Sequence, residues 1–210
     1  MTTKEVAFVL VMVLLFWLYK KYTKRQKFTY IDLYTFHAGL ISKFKKVRPE
    51  LNDEQVPVVA EALKDYFKIC QMSGKEFVAM PSQLVDDLWH EFILFTRLYQ
   101  KFCKVAFGHY LHHTPAEAMP SQSKASDGIQ TTWKYACKLE GINPKDPERL
   151  PRLFALDGLY NIENGFHYTR DCKNSNNGDY CASHIGCGSS CGSSCGTSDS
   201  SSCGSGCGGD

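Results

Sequence analysis

Read for the alternation of apolar and polar positions, the chain opens on a stretch with no alternation at all. Val6 to Tyr19 (VAFVLVMVLLFWLY) is a run of 14 apolar or aromatic residues. At 1.5 Å of rise per residue it covers roughly 21 Å of a hydrocarbon layer about 30 Å thick. A helix that is apolar on every face has no side to turn to water, so the run predicts a membrane span, the alternative being a docked hydrophobic helix. Trp17 and Tyr19 stand at one end, where amphipathic aromatics prefer the interface. At the other end Lys4 can extend the helix and reach the head groups.

Helical periodicity follows. Leu33, Phe36, Leu40, Phe44 and Val47 predict a helix from Tyr30 to about Arg48. Pro49 and Asn52 then break the chain. A second helix is expected from about Asp53 to Met72, with Pro57 in its first turn and Val59, Leu63, Tyr66, Phe67 and Cys70 as its apolar stripe. Ser82 reads as the N-cap of a third, with Asp86 and Asp87 near the positive end of its dipole. Leu84, Leu88, Phe92, Phe95, Tyr99, Phe102 and Val105 carry this pattern to Gly108, with a bend or split expected near Thr96. A fourth helix is predicted over Asp127–Glu140 (Ile129, Trp133, Ala136, Cys137). Residues 147–170 read as a short helix, a turn at Asp157-Gly158 and a small hairpin around Asn164-Gly165. No strand run is long enough for a sheet core. The expected class is mostly α: a transmembrane anchor with a basic flank over 1–27, a single small helical domain over 28–170, and a disordered tail over 171–210.

The 210 residues carry a net charge of only +2, but its distribution changes the picture. Residues 1–48 hold ten Lys/Arg against Glu5 and Asp32, a net of +8, which leaves −6 for residues 49–210. Lys20, Lys21, Lys24, Arg25 and Lys27 all follow the apolar run, whereas a cleaved signal carries its cations before it and ends in a small-x-small site. A basic flank stays on the cytoplasmic side, so the N-terminus is expected outside and the domain in the cytoplasm. Each such cation is attracted to anionic lipid by roughly 1 kcal/mol near the surface, making membrane lipid the first expected partner. Lys43, Lys45, Lys46 and Arg48 lack an adjoining aromatic stacking surface, which argues against nucleic acid.

The last 40 residues contain eleven Ser, nine Gly and seven Cys, with little apolar material to offset the entropy of ordering. Cys187, Cys191, Cys195, Cys203 and Cys207 lie on a four-residue comb. Paired zinc thiolates usually stand two residues apart, so the comb is open to two readings, soft-metal capture or compositional habit. A reducing cytosol keeps such thiols free, and an oxidising compartment cross-links them.

Asp86 and His90, four residues apart, share one helical face, where a carboxylate can orient an imidazole. Joined by His112 or His113 they make a three-ligand His/carboxylate set suited to zinc or another transition metal. Along a straight helix His90 and His109 are about 28 Å apart, so the set requires the chain to fold back near Thr96. The other reading is structural, with Trp89-His90 as a packing pair and the His bonded to Asp86. There is no G-x-S-x-G elbow or phosphate loop, and H-E-x-x-H fails because Leu94 stands where the second His belongs. Cys103, on the aromatic face, reads as a buried, inert thiol.

The stretch PSQLVDDLWHEFILFTRLYQKFCKVAFGHYLHHTP resembles the glycine-rich domain-containing proteins in its Asp-x-x-Trp-His segment (Asp86 or Asp87, Trp89, His90). Tyr99, Cys103, Phe107-Gly108 and His112-His113 extend the likeness, as does LPRLFALD at 150–157. The resemblance covers about 90 residues. It implies a helical domain with a Gly-rich tail and supplies no reaction. Two functions are therefore expected as alternatives. One is a membrane-anchored helical interaction or scaffold module with a protein partner and a thiol-rich tail. The other is a metal-binding protein or metal-dependent enzyme using Asp86, His90 and His112/His113, or the tail cysteines.

Overall fold

The computed structural model describes residues 3–113, 122–170, 180–181 and 185. Among them the protein is mostly α, with seven helices: α1 (Thr3–Asp32), α2 (Ala38–Val47), α3 (Gln55–Ser73), α4 (Gln83–Leu94), α5 (Thr96–Ala106), α6 (Gln122–Glu140) and α7 (Arg152–Leu159). The five comb cysteines lie outside the described residues.

α1 is long and apolar enough to cross a membrane, and its most apolar stretch is not buried among the described residues. All residues from Val6 to Tyr19 are exposed. The helix does not stop at the basic flank. It continues across positions 27 and 28 until Ile31 is fully buried, Tyr30 meets the Phe102 ring at 5.8 Å, and Lys27 Nζ donates to the Phe107 carbonyl at 2.8 Å. Lys64 Nζ donates to the Asp32 carbonyl, and Lys68 pairs with the Asp32 carboxylate at 3.0 Å.

The helix expected over Tyr30–Arg48 is thus two helices. At about 100° per residue, a continuous helix would hold Ile31 roughly 140° from Phe36 and opposite Leu40. Interrupting it at residues 33–37 lets Ile31, Phe36, Leu40 and Phe44 all enter the core, while Leu33 is left exposed. His37 then caps α2, its Nδ1 accepting from Gly39 N at 3.0 Å.

α3 is the central helix, packed against α1, α4, α6 and α7. Around it gathers an aromatic core in which Phe67 meets Phe102 at 4.8 Å, Tyr34 meets Phe102 at 4.7 Å and Phe36 meets Phe92 at 5.3 Å edge-on. Such pairs add about 0.5–1.5 kcal/mol each beyond the burial of their area. The expected split near Thr96 is present: Phe95 (φ −80°, ψ 58°) leaves helical geometry, and α5 packs back on α4.

The region after residue 147 departs from expectation. Asp157-Gly158 is not a turn but lies inside α7, and the hairpin at Asn164-Gly165 is absent. Tyr168–Thr169 (β1) instead pairs in parallel with Tyr180–Cys181 (β2), in register Tyr168 with Tyr180. The reason is a long-range role for one carboxylate. Asp157 is buried, and its Oδ1 accepts from Ser82 Oγ at 2.6 Å and Leu84 N at 3.3 Å. Its Oδ2 accepts from Gln83 N at 2.7 Å and Phe166 N at 2.9 Å. Ser82 itself caps Val85 N at 3.2 Å, as its sequence position predicts. Gly165 has to be glycine here, because a Cβ would stand 2.6 Å from that of Asp157.

Truncating this carboxylate leaves a hydroxyl and three backbone N–H groups without their acceptor. Asp157→Ala is therefore expected to destabilise the fold by about 3 kcal/mol, and Ser82→Ala, which removes one cap, by about 1 kcal/mol. Urea unfolding of the two variants checks the order.

Candidate functional site

α4 carries three carboxylates after its cap, and two are neutralised by strong bases. Asp87 accepts from Arg48 Nε at 2.6 Å and from Gln83 Nε2 at 3.0 Å, and Glu91 pairs with Lys43 at 2.9 Å. Burial alone would lower the Arg48 pKa, but the Asp87 and Glu50 carboxylates outweigh it and raise the value. Lys45 pairs with Asp53, so most of the basic run at 43–48 is spent on internal ion pairs.

Asp86 is different. Among the described residues the basic side chains paired with it are imidazoles. His113 Nε2 lies 2.9 Å from Asp86 Oδ1, and His90 Nδ1 lies 3.6 Å from Asp86 Oδ2. The two imidazole rings are 4.3 Å apart. One ligand atom from each of Asp86, His90 and His113 falls within 4.8 Å of the others. The i, i+4 spacing supplies the first two, and the fold supplies the third. Gly108 takes φ +84°, a left-handed conformation favouring glycine, and ends α5 so that residues 109–113 run back toward α4.

Tyr99 holds that return in place. Trp89 Nε1 donates to the Tyr99 hydroxyl at 3.0 Å, and the hydroxyl donates to the Leu111 carbonyl at 2.6 Å, two residues before His113. Burial, reinforced by nearby Cys103, pushes the Tyr99 pKa upward, so the hydroxyl keeps the proton it donates. The Trp89 ring then meets His113 edge-on at 4.6 Å. The periodic pattern placed Tyr99 on the apolar face but gave no sign of this bridge, which joins two helices across the break at Phe95.

Of the residues singled out by sequence, Asp86, His90 and His113 are brought together. His112 is not part of the group. Its ring lies against Tyr110 at 4.9 Å, and it lines a cavity of about 50 Å³ together with Tyr66, Phe77, Met80, Trp89 and His113. Cys103 is buried, as its position on the aromatic face predicts. Cys70, Cys103 and Cys137 are free, while Cys181 is disulfide-bonded.

Two predictions follow from these contacts. Tyr99→Phe leaves the Trp89 N–H and the Leu111 carbonyl unpaired, at a cost of roughly 1–3 kcal/mol. Amide exchange at residues 111–113 is expected to rise with it. Burial also pushes the Cys137 thiol from its usual 9.0 up to about 12. The folded chain keeps this proton while the unfolded chain gives it up, so the contribution to stability is intact below pH 9. It is lost as pH rises through about 12. Denaturation midpoints measured across that window should fall less steeply in Cys137→Ala than in the natural chain.

No curated protein and no solved structure matches the chain. A family model, UCP032817-like, matches residues 25–188. That span takes in the last two cations of the basic flank (Arg25 and Lys27), all of α2 to α7, and the Asp86, His90 and His113 cluster, and by it the chain belongs to the UCP032817-like family.

Proposed function

We propose that this is a single-pass membrane protein whose helical body serves as an interaction module on the cytoplasmic face, its N-terminus lying outside. The observation that carries the reading is α1, an unbroken 30-residue helix exposed and apolar at one end and locked into the core at the other. In water the Val6–Tyr19 segment would expose apolar side chains on every face, and a hydrocarbon layer is the environment in which that exposure costs nothing. Lys20 and Lys21 lie over the Phe16 and Trp17 rings at 5.0 and 5.1 Å, an arrangement suited to the head-group boundary.

The orientation rests on the five cations between Lys20 and Lys27, against Lys4 and Glu5 on the other side. The disulfide at Cys181 pulls the opposite way, since such bonds persist in oxidising compartments. The flank outweighs it because it acts during insertion, before a disulfide forms. In this reading the membrane partners are anionic lipids. A protein partner is met by the helical body and the thiol-rich tail, and kinship with the glycine-rich domain-containing proteins rests on Trp89, His90 and the residues around them.

Alkaline carbonate extraction tests the anchor, and the chain should stay in the membrane pellet until detergent is added. Release by alkali or salt alone would falsify it. Protease added to sealed vesicles of known orientation tests the sidedness, and cleavage of the body from the non-cytoplasmic face overturns it.

A further inference from the structure

We propose that Asp86, His90 and His113 bind one divalent transition ion of the zinc and iron(II) class, with the remaining coordination positions open to water or a small anion. The inference goes beyond the membrane reading and does not depend on it.

α4 presents Asp86, Asp87 and Glu91 within six residues, and the fold brings Arg48 and Lys43 to the latter two. To Asp86 it brings two imidazoles, one from the same helix and one from a loop that has doubled back. A carboxylate needing only charge neutralisation is served as well by one lysine. Two imidazoles on one carboxylate are a donor set of two nitrogens and one oxygen, the composition that borderline divalent ions prefer.

Tetrahedral metal bonds of about 2.0–2.1 Å set neighbouring donors about 3.3 Å apart. His113 stands 2.9 Å from Asp86 Oδ1 and His90 3.6 Å from Oδ2, and with one oxygen taken as donor all three ligand atoms lie within 4.8 Å, close enough for small side-chain rotations to bring them to that spacing. The His90 contact is too long for a hydrogen bond, so its nitrogen faces the carboxylate without being bound to it. His90 is 47% exposed and free to close the remaining gap by a small rotation. Asp86 and His113, at 18% and 11%, form the floor of the site.

Ligand imidazoles need their orientation held by surrounding contacts. Here Trp89 lies edge-on to His113, and the Trp89–Tyr99–Leu111 bonds fix the loop that delivers it. The cavity beside His113, about 50 Å³, has room for a few water molecules and not for a large organic substrate. Asp86 and His90 do not line it, and with His90 nearly half exposed an open position on the ion faces solvent, where water or a small anion fills it.

The test uses the full-length protein in detergent, with Cys172, Cys181, Cys187, Cys191, Cys195, Cys203 and Cys207 each changed to Ser so that the tail thiols do not compete. Zn²⁺ is titrated after chelator treatment, and Co²⁺ serves as an absorbance probe. The expected result is one equivalent of Zn²⁺ bound, with a Co²⁺ spectrum free of thiolate charge transfer. His90→Ala, Asp86→Asn and His113→Gln should each weaken binding at least tenfold, while His112→Ala leaves it unchanged. Zn²⁺ should also raise the melting temperature of the parent chain and not that of His90→Ala, whose exposed position leaves the fold intact. The proposal is overturned if the Cys-to-Ser chain binds no metal. It is overturned equally if His90→Ala, folded by circular dichroism, binds Zn²⁺ as tightly as its parent, or if His112→Ala abolishes binding.

Discussion

Four donors converge on the Asp157 carboxylate, and the placement of α4 depends on them. The first turn of any helix leaves N–H groups without intrahelical acceptors. Ser82 answers one of these in α4, while Asp157, from more than 70 residues away, answers Gln83 and Leu84 and holds the Ser82 hydroxyl as well. Its fourth bond, to Phe166, ties the following loop to the same point. One buried carboxylate thereby joins α4, α7 and the segment leading to β1. Asp86 and His90 are borne on the next turns of the helix that it pins.

At the other end α4 is set by the aromatic core and by a hydroxyl. Trp89 and Phe92 point inward against Phe67, while Asp86 and His90 remain on the flank of the helix toward the loop at 111–113. Tyr99 is the hinge between the two environments, with its ring fully buried and its hydroxyl shared by Trp89 and Leu111. Packing and polar geometry are inseparable here. The ring that fills the core also positions the backbone that carries His113.

How much of this was legible in the sequence follows the range of the interactions involved. The Ser82 cap, the split near Thr96 and the burial of Cys103 depend on neighbours a few positions away, and each is present. The break at 33–37 hides because Leu33, Phe36, Leu40, Phe44 and Val47 do form a helical stripe. What that stripe omits is Ile31, whose burial on a different face makes a continuous helix untenable. Asp157-Gly158 has the composition of a turn, and only the demand of a distant helix end keeps it helical. Likewise the Asp86 and His90 pair is written in an i, i+4 spacing. The choice of His113 over His112 is decided by how the chain returns after Gly108, which no local pattern encodes.

The docking of α1 has a mechanical corollary. Between Tyr19 and Ile31 run twelve residues of continuous helix, about 18 Å, with no turn or glycine at which to swivel. The Lys27, Tyr30 and Asp32 contacts clamp its far end to α3 and α5. Such a shaft acts as a lever. If α1 spans a bilayer as proposed, a tilt set by the bilayer's thickness is delivered to the globular head, and the His90 side of α4 swings with it.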